Sequence, residues 1–94
     1  MTIPYGRQDI TDEDIRAVVT ALRSEFLTQG PIVPEFEAAV SKYCSSKHAC
    51  AVNSATSALH LAYLALGVGP GDVVWTSPIT YVATANAARM CARQ

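Results

Sequence analysis

Ala49-Cys50-Ala51-Val52-Asn53-Ser54-Ala55-Thr56-Ser57-Ala58-Leu59 is the stretch whose reading decides the fold. Residues 49–52 are short and apolar, as a buried strand is. Residues 55–66 are apolar for long enough to make a helix. Asn53 or Ser54 stands where the helix cap belongs. At such a junction the first backbone N–H groups of the helix have no intrahelical acceptor. Together with the helix dipole they favour an anion, and a phosphate is the natural occupant. Thr56 adds a hydroxyl that can reach the same oxygen atoms. A well-capped strand-to-helix turn with no ligand is the plain alternative.

Working outward, Thr11-Asp12-Glu13-Asp14 reads as a cap followed by an acidic first turn, with Ile15, Val18, Val19 and Leu22 forming one helical stripe. Residues 26–33 form a loop marked by Gly30-Pro31. Pro34 opens a second helix in its first turn, with Phe36, Ala39, Val40 and Tyr43 on the side expected to be buried. After the central helix, Gly69-Pro70-Gly71-Asp72 is a turn and residues 73–76 a second strand. A last helix is expected from near Tyr81 towards Arg93. Strands separated by a helix predict an α/β construction. The central helix is apolar around nearly its whole circumference, and two strands alone make a marginal sheet. Both features, with a final helix that lacks a cap, lead us to expect the N-terminal, incomplete part (residues 1–94) of a larger enzyme domain.

Composition narrows the classes. Half of the 94 residues are hydrophobic and 16% are charged, which is too apolar for a disordered chain. A net charge of −1 gives no basic footprint for nucleic acid. No apolar run approaches a membrane span, and the first residues do not resemble a signal peptide. Cys44, Cys50 and Cys91 are odd in number and form no Cys-x-x-Cys pair, so reduced thiols and a cytoplasmic setting are expected. Cys44, His48 and Cys50 have the wrong spacing for common zinc sites, and no metal is expected.

The ordered set Leu27-Thr28-Gln29-Gly30-Pro31, Phe36-Glu37, Lys47-His48-Ala49, Asn53-Ser54-Ala55-Thr56-Ser57-Ala58-Leu59, Gly71-Asp72 and Ser77-Pro78-Ile79-Thr80-Tyr81-Val82-Ala83-Thr84-Ala85-Asn86 resembles the DegT/StrS family of pyridoxal-phosphate-dependent sugar aminotransferases. The resemblance covers essentially the whole chain. Many members have Gly-Thr where this chain has Ala55-Thr56. The Ser-Ala-Thr form is similar to the branch acting on UDP-linked 4-keto sugars in pseudaminic acid synthesis. The resemblance implies the N-terminal part of a fold type I transferase, with helices followed by the first strands of the large-domain sheet. It also implies pyridoxal 5'-phosphate as cofactor and a homodimeric parent. The reaction implied moves an amino group from an amino acid, glutamate by preference, to a UDP-linked keto sugar. A non-catalytic relative that binds cofactor or sugar as a regulator is the rival.

Pyridoxal phosphate needs oriented donors for its phosphate, a stacking surface for its ring and a lysine for its aldehyde. Ser54, Ala55 and Thr56 supply the first, the small Ala55 side chain letting the backbone approach closely. Tyr81 follows a strand, as ligand-binding residues of open α/β sheets do, and is the candidate stacking aromatic. Packing of Tyr81 on its own turn is the alternative. Neither Lys42 nor Lys47 lies in a motif resembling the family's lysine loop, so no catalytic residue is expected within these 94 residues. The resemblance further places Tyr5, Glu25, Phe26, Leu27 and Thr28, with Ala55, near the sugar nucleotide. Phe26 and Leu27 read equally well as core anchors, and Glu25 as a solvated carboxylate.

Overall fold

Helices α1 (Asp12–Leu22), α2 (Ile32–Tyr43), α3 (Ala55–Ala65) and α4 (Ala83–Cys91) are formed in the computed structural model, which describes residues 3–92. The chain divides into two compact units, Met1–Cys50 with α1 and α2, and Ala51–Gln94 with α3 and α4.

In the first unit, α1 starts on a reciprocal cap. The backbone N–H and hydroxyl of Thr11 each donate to Asp14 Oδ2 at 2.8 Å, and the Asp14 N–H donates to Thr11 Oγ1 at 3.3 Å. Two N-terminal donors are thereby satisfied at once. The bonds from the Thr11 backbone, then from its hydroxyl, hold the Asp14 carboxyl below its ordinary value of 3.8. A depressed folded value means that the ionised carboxylate favours the helix above the unfolded value and stops doing so as pH falls through the folded one. Helix content read by circular dichroism should therefore fall in a step as pH is lowered below 3.8. Asp14→Asn should flatten that step, and a step unchanged in the variant would remove Asp14 as its source.

The loop between α1 and α2 turns back on itself. A Cβ at Gly30 would run into the backbone carbonyl oxygen of Phe26, and Gln29 takes a left-handed φ of 57°. Glycine is thus required at 30 by close backbone approach. The second helix opens at Ile32, two residues before Pro34, the expected start. Pro34 falls in the first turn all the same, where its missing N–H has no intrahelical acceptor to lose. The helix closes on Ser45 (φ 52°), with Ser46 N–H donating to Ser41 O at 2.9 Å and Ser45 N–H to Lys42 O at 3.2 Å. This is a Schellman closure built without glycine.

In the second unit α3 and α4 pack on each other. The α4 contribution is a stripe of small residues, Ala83, Ala87 and Cys91, spaced four apart and buried. Small side chains let the two helices approach closely. Tyr63 ties them further, its hydroxyl donating to Thr84 O at 3.4 Å. Gly67, at φ 74°, ends α3. Gly67 N–H donates to Leu64 O and Val68 N–H to Tyr63 O, both at 3.0 Å. Asp72 is a turn residue, as expected, accepting from Gly69 N–H at 2.8 Å. The last helix runs two residues shorter at its start than the expected origin at Tyr81.

Two expectations are corrected. No strand is formed among the described residues, at 49–52 or at 73–76. A strand exists through hydrogen bonds to a neighbour, and residues 73–76 have no backbone partner among the described residues. Nor are the apolar faces of α1 and α2 buried: Ile15, Val18, Leu22, Phe36 and Tyr43 are all exposed. The described core consists of Ala83, Ala87 and Cys91. The chain leaves 8640 Å² in water. A compact 10.0 kDa monomer would leave roughly 5,200 Å², and two separate globules of half that mass roughly 6,300 Å².

Candidate functional site

The start of α3 shows which groups are committed to the cap and which remain. Ser54 is the cap residue, with extended backbone (φ −159°, ψ 155°), and its Oγ accepts from Ser57 N–H at 3.1 Å. The Ser57 hydroxyl donates to Asn53 Oδ1 at 2.9 Å. The 3.0 Å contact between the Ser54 and Ser57 hydroxyls must then carry the Ser54 proton towards Ser57. Both hydroxyl protons are used inside the turn. Ala58 N–H donates to Ser54 O at 3.1 Å and begins the helical ladder. What remains is a set of three donors, the N–H groups of Ala55 and Thr56 and the Thr56 hydroxyl, none with a hydrogen-bond partner among the described residues. They sit at the positive end of the helix dipole. Donors of this kind fit a phosphate, and Ala55 keeps the approach to the backbone open.

Of the two cap candidates in the sequence, Ser54 takes the role and Asn53 supports it through Ser57. Ser57 itself is the residue that motif reading passed over. Its signal is spacing: Asn53 and Ser57 are four apart, within reach across one helical turn.

Tyr81 lies in the same unit, two residues before α4, and is 77% exposed. Its loop is held at two points. The Ser77 hydroxyl oxygen accepts from Ile79 N–H at 3.2 Å, and the Thr80 and Thr84 hydroxyls pair at 3.1 Å. The Tyr63–Thr84 bond fixes the start of α4 against α3 two turns below Thr56. Seven residues of helix, from Thr56 to Tyr63, rise about 10 Å. His60, one turn below Thr56, has a buried Nε2 with no hydrogen-bond partner.

The residues expected near a sugar nucleotide belong, apart from Ala55, to the first unit. Phe26 and Leu27 come together with Ala21, Gly30, Ile32 and Val33 around an open concavity of about 430 Å³. Tyr5, Glu25 and Thr28 are exposed and do not line it. Lys42 and Lys47 are exposed in that same unit, outside the one that carries Thr56 and Tyr81. None of the three cysteines forms a disulfide. No group of three or more potential metal ligands occurs among the described residues, and no described helix is long and apolar enough to cross a membrane.

Residues 8–94 match the model of the DegT/DnrJ/EryC1/StrS aminotransferase family. The chain belongs to this family. It is 55% identical over 86 residues to the UDP-4-amino-4,6-dideoxy-N-acetyl-beta-L-altrosamine transaminase of Campylobacter jejuni serotype O:23/36, covering 92% of this chain and 23% of that protein. It is 48% identical over 84 residues to the spore coat polysaccharide biosynthesis protein SpsC of Bacillus subtilis, covering 89% and 22%. Among solved structures, it superposes on a Streptococcus pneumoniae protein described as a sugar aminotransferase, Spr1654. For the PMP form the TM-score is 0.86 at 38% identity, covering 98% of this chain and 23% of that one. The PLP form gives 0.85. The chain thus spans less than a quarter of the length of the relatives it matches, in their N-terminal part. Its fold is the corresponding part of a fold type I pyridoxal-phosphate transferase, and the family's cofactor is pyridoxal phosphate.

Proposed function

We propose that a family-length protein carrying these residues is a pyridoxal-phosphate-dependent aminotransferase of the cytoplasm. It moves an amino group from an amino acid, glutamate by preference, to the keto carbon of a UDP-linked 4-keto-deoxysugar. The observation that carries this reading is the donor set at the start of α3. Two backbone N–H groups and the Thr56 hydroxyl remain available after Ser54, Ser57 and Asn53 have satisfied one another. When bound, the cofactor supplies the chemistry by carrying the amino group between donor and acceptor. The residues of this chain bind and orient it. Ala55 and Thr56 hold the phosphate, Ser54 keeps the turn open for it, and Tyr81 offers a ring face.

Tyr5, Glu25, Phe26, Leu27 and Thr28 are proposed to face the sugar nucleotide. Phe26 and Leu27 would contribute apolar surface beside the Gly30 turn, and Tyr5 and Thr28 hydroxyls. The names of the relatives support a nucleotide-linked amino sugar as product, and a homodimer is proposed as the working state. Incubating such a family-length protein with glutamate and the UDP-4-keto sugar should give amino sugar and 2-oxoglutarate in equal amounts. Cofactor bound without any turnover would favour a regulatory role instead.

Thr56→Ala tests the cradle. Losing one charge-assisted hydrogen bond costs about 1.5–3 kcal/mol of cofactor binding, so the dissociation constant should rise about tenfold or more. An unchanged constant would leave Thr56 as a packing residue of α3. Tyr81 is tested by a pair of variants. Tyr81→Ala should weaken cofactor binding and shift the absorption of the bound cofactor, whereas Tyr81→Phe should preserve both because the ring face remains. Equal damage from the two would make the hydroxyl, not the face, the working group.

A further inference from the structure

His60 is a polar side chain of α3 with no part in the helix cap. Its Nε2 is buried and has no hydrogen-bond partner. Leaving such a nitrogen unmet is costly, and native folds rarely do so. The residues that cover it belong to this chain, so its partner is to be sought among them. A helical side chain leans back over the preceding turn and meets the residues three and four before it. For His60 those are Ser57 and Thr56. The Ser57 hydroxyl is committed: it donates to Asn53 Oδ1 at 2.9 Å and accepts from the Ser54 hydroxyl at 3.0 Å. The Thr56 hydroxyl has no partner among the described residues. At the start of α4 the polar groups are already matched, Thr84 O with the Tyr63 hydroxyl and the Thr80 and Thr84 hydroxyls with each other. His60 Nε2 and Thr56 Oγ1 are therefore the two unmet side-chain polar atoms on the stripe Thr56, His60 and Tyr63.

We infer that His60 is a positioning residue for the phosphate donor Thr56. The imidazole, with its proton on Nε2, donates to Thr56 Oγ1, and the Thr56 hydroxyl directs its own hydrogen to a phosphate oxygen. A hydroxyl oxygen accepts while its hydrogen donates, so the two bonds are compatible and each strengthens the other. They need side-chain rotation alone, since residues four apart on a helix are neighbours. Held in this way, the hydroxyl does not turn back to a carbonyl of the preceding turn, the habitual alternative for threonine in a helix. The inference rests on the reading of Ala55 and Thr56 as phosphate ligands and adds the residue that aims one of their donors.

The test titrates pyridoxal phosphate into family-length protein carrying these residues, into Thr56→Ala, into His60→Leu and into the double variant, with helix content checked by circular dichroism. His60→Leu should raise the cofactor dissociation constant about fivefold, the effect of one hydrogen bond between neutral groups. In the Thr56→Ala background it should add nothing, because the bond it removes is already gone. His60→Gln, whose amide nitrogen falls near the Nε2 position, should keep the parent constant, whereas His60→Asn, one bond shorter, should behave as His60→Leu. Inorganic phosphate, used as a competitor, should follow the same order, because the pair acts on the anion and not on the ring. Equal effects of His60→Leu in both backgrounds overturn the inference, since packing alone predicts them. If His60→Leu lowers helix content, the Gln and Asn variants decide, and equal damage from those two overturns it. A constant raised by Thr56→Ala but untouched by His60→Leu overturns the inference and leaves the phosphate reading standing. A constant untouched by Thr56→Ala removes that reading and the inference with it.

Discussion

Purified free of host enzymes, the 94-residue chain should form no amino sugar from pyridoxal phosphate, glutamate and a UDP-4-keto sugar. The expected effect is complete loss rather than slow turnover. Amino transfer needs a lysine that holds the cofactor aldehyde and moves a proton. Lys42 closes α2 and Lys47 follows in the connecting loop. Both are exposed and lie in a different unit from the donors at Ala55 and Thr56. Neither sits in a motif resembling the family's lysine loop. Chromatographic detection of amino sugar above a no-protein control would show that one of these lysines can serve. Lys42→Ala and Lys47→Ala would then identify it.

The second large effect concerns the chain in isolation. It should elute from a sizing column as oligomers or aggregates and unfold over a broad temperature range. Its described core is three small residues on α4, while Ile15, Val18 and Leu22 on α1, Phe36 and Tyr43 on α2, and Val73 and Trp75 lie exposed. Apolar surface of this extent drives association, and the unpaired backbone groups of residues 73–76 add to it. Trp75 is the single tryptophan, which makes its emission a reporter. On dilution the emission should move towards that of a water-exposed indole as assemblies come apart. A monomeric elution volume with one sharp transition would show that the chain closes its own core.

Much of the local structure was legible in the sequence because local rules produce it. Thr11 and Asp14 cap α1, Ser54 caps α3, and Gly67 ends α3, each through contacts no more than five residues away. The start of α2 was misplaced by two residues because proline is tolerated anywhere in a first helical turn. Expectations that depend on distant partners did not materialise as drawn. A strand at 73–76 needs a neighbour to hydrogen-bond with, and the stripe at Ile15, Val18, Val19 and Leu22 needs a surface to cover it. The same division holds at the site. The unpartnered donors at the start of α3 were legible, since they follow from helix geometry. The role of Ser57 was not, because serine is common at such junctions and only the direction of the proton from Ser54 to Ser57 to Asn53 reveals it.

The pairing of α3 with α4 bears on how a family-length protein is made. These two helices meet across 17 residues, so they can associate as soon as both have left the ribosome. The surfaces left bare around them cannot be covered until later segments arrive. The relatives are roughly four times as long, and at about 5–20 residues per second the remainder takes on the order of tens of seconds to synthesise. During that interval a formed helix pair and an exposed Trp75 stand together on the nascent chain. Transiently exposed apolar surface of this kind is what makes a partly synthesised chain prone to aggregation.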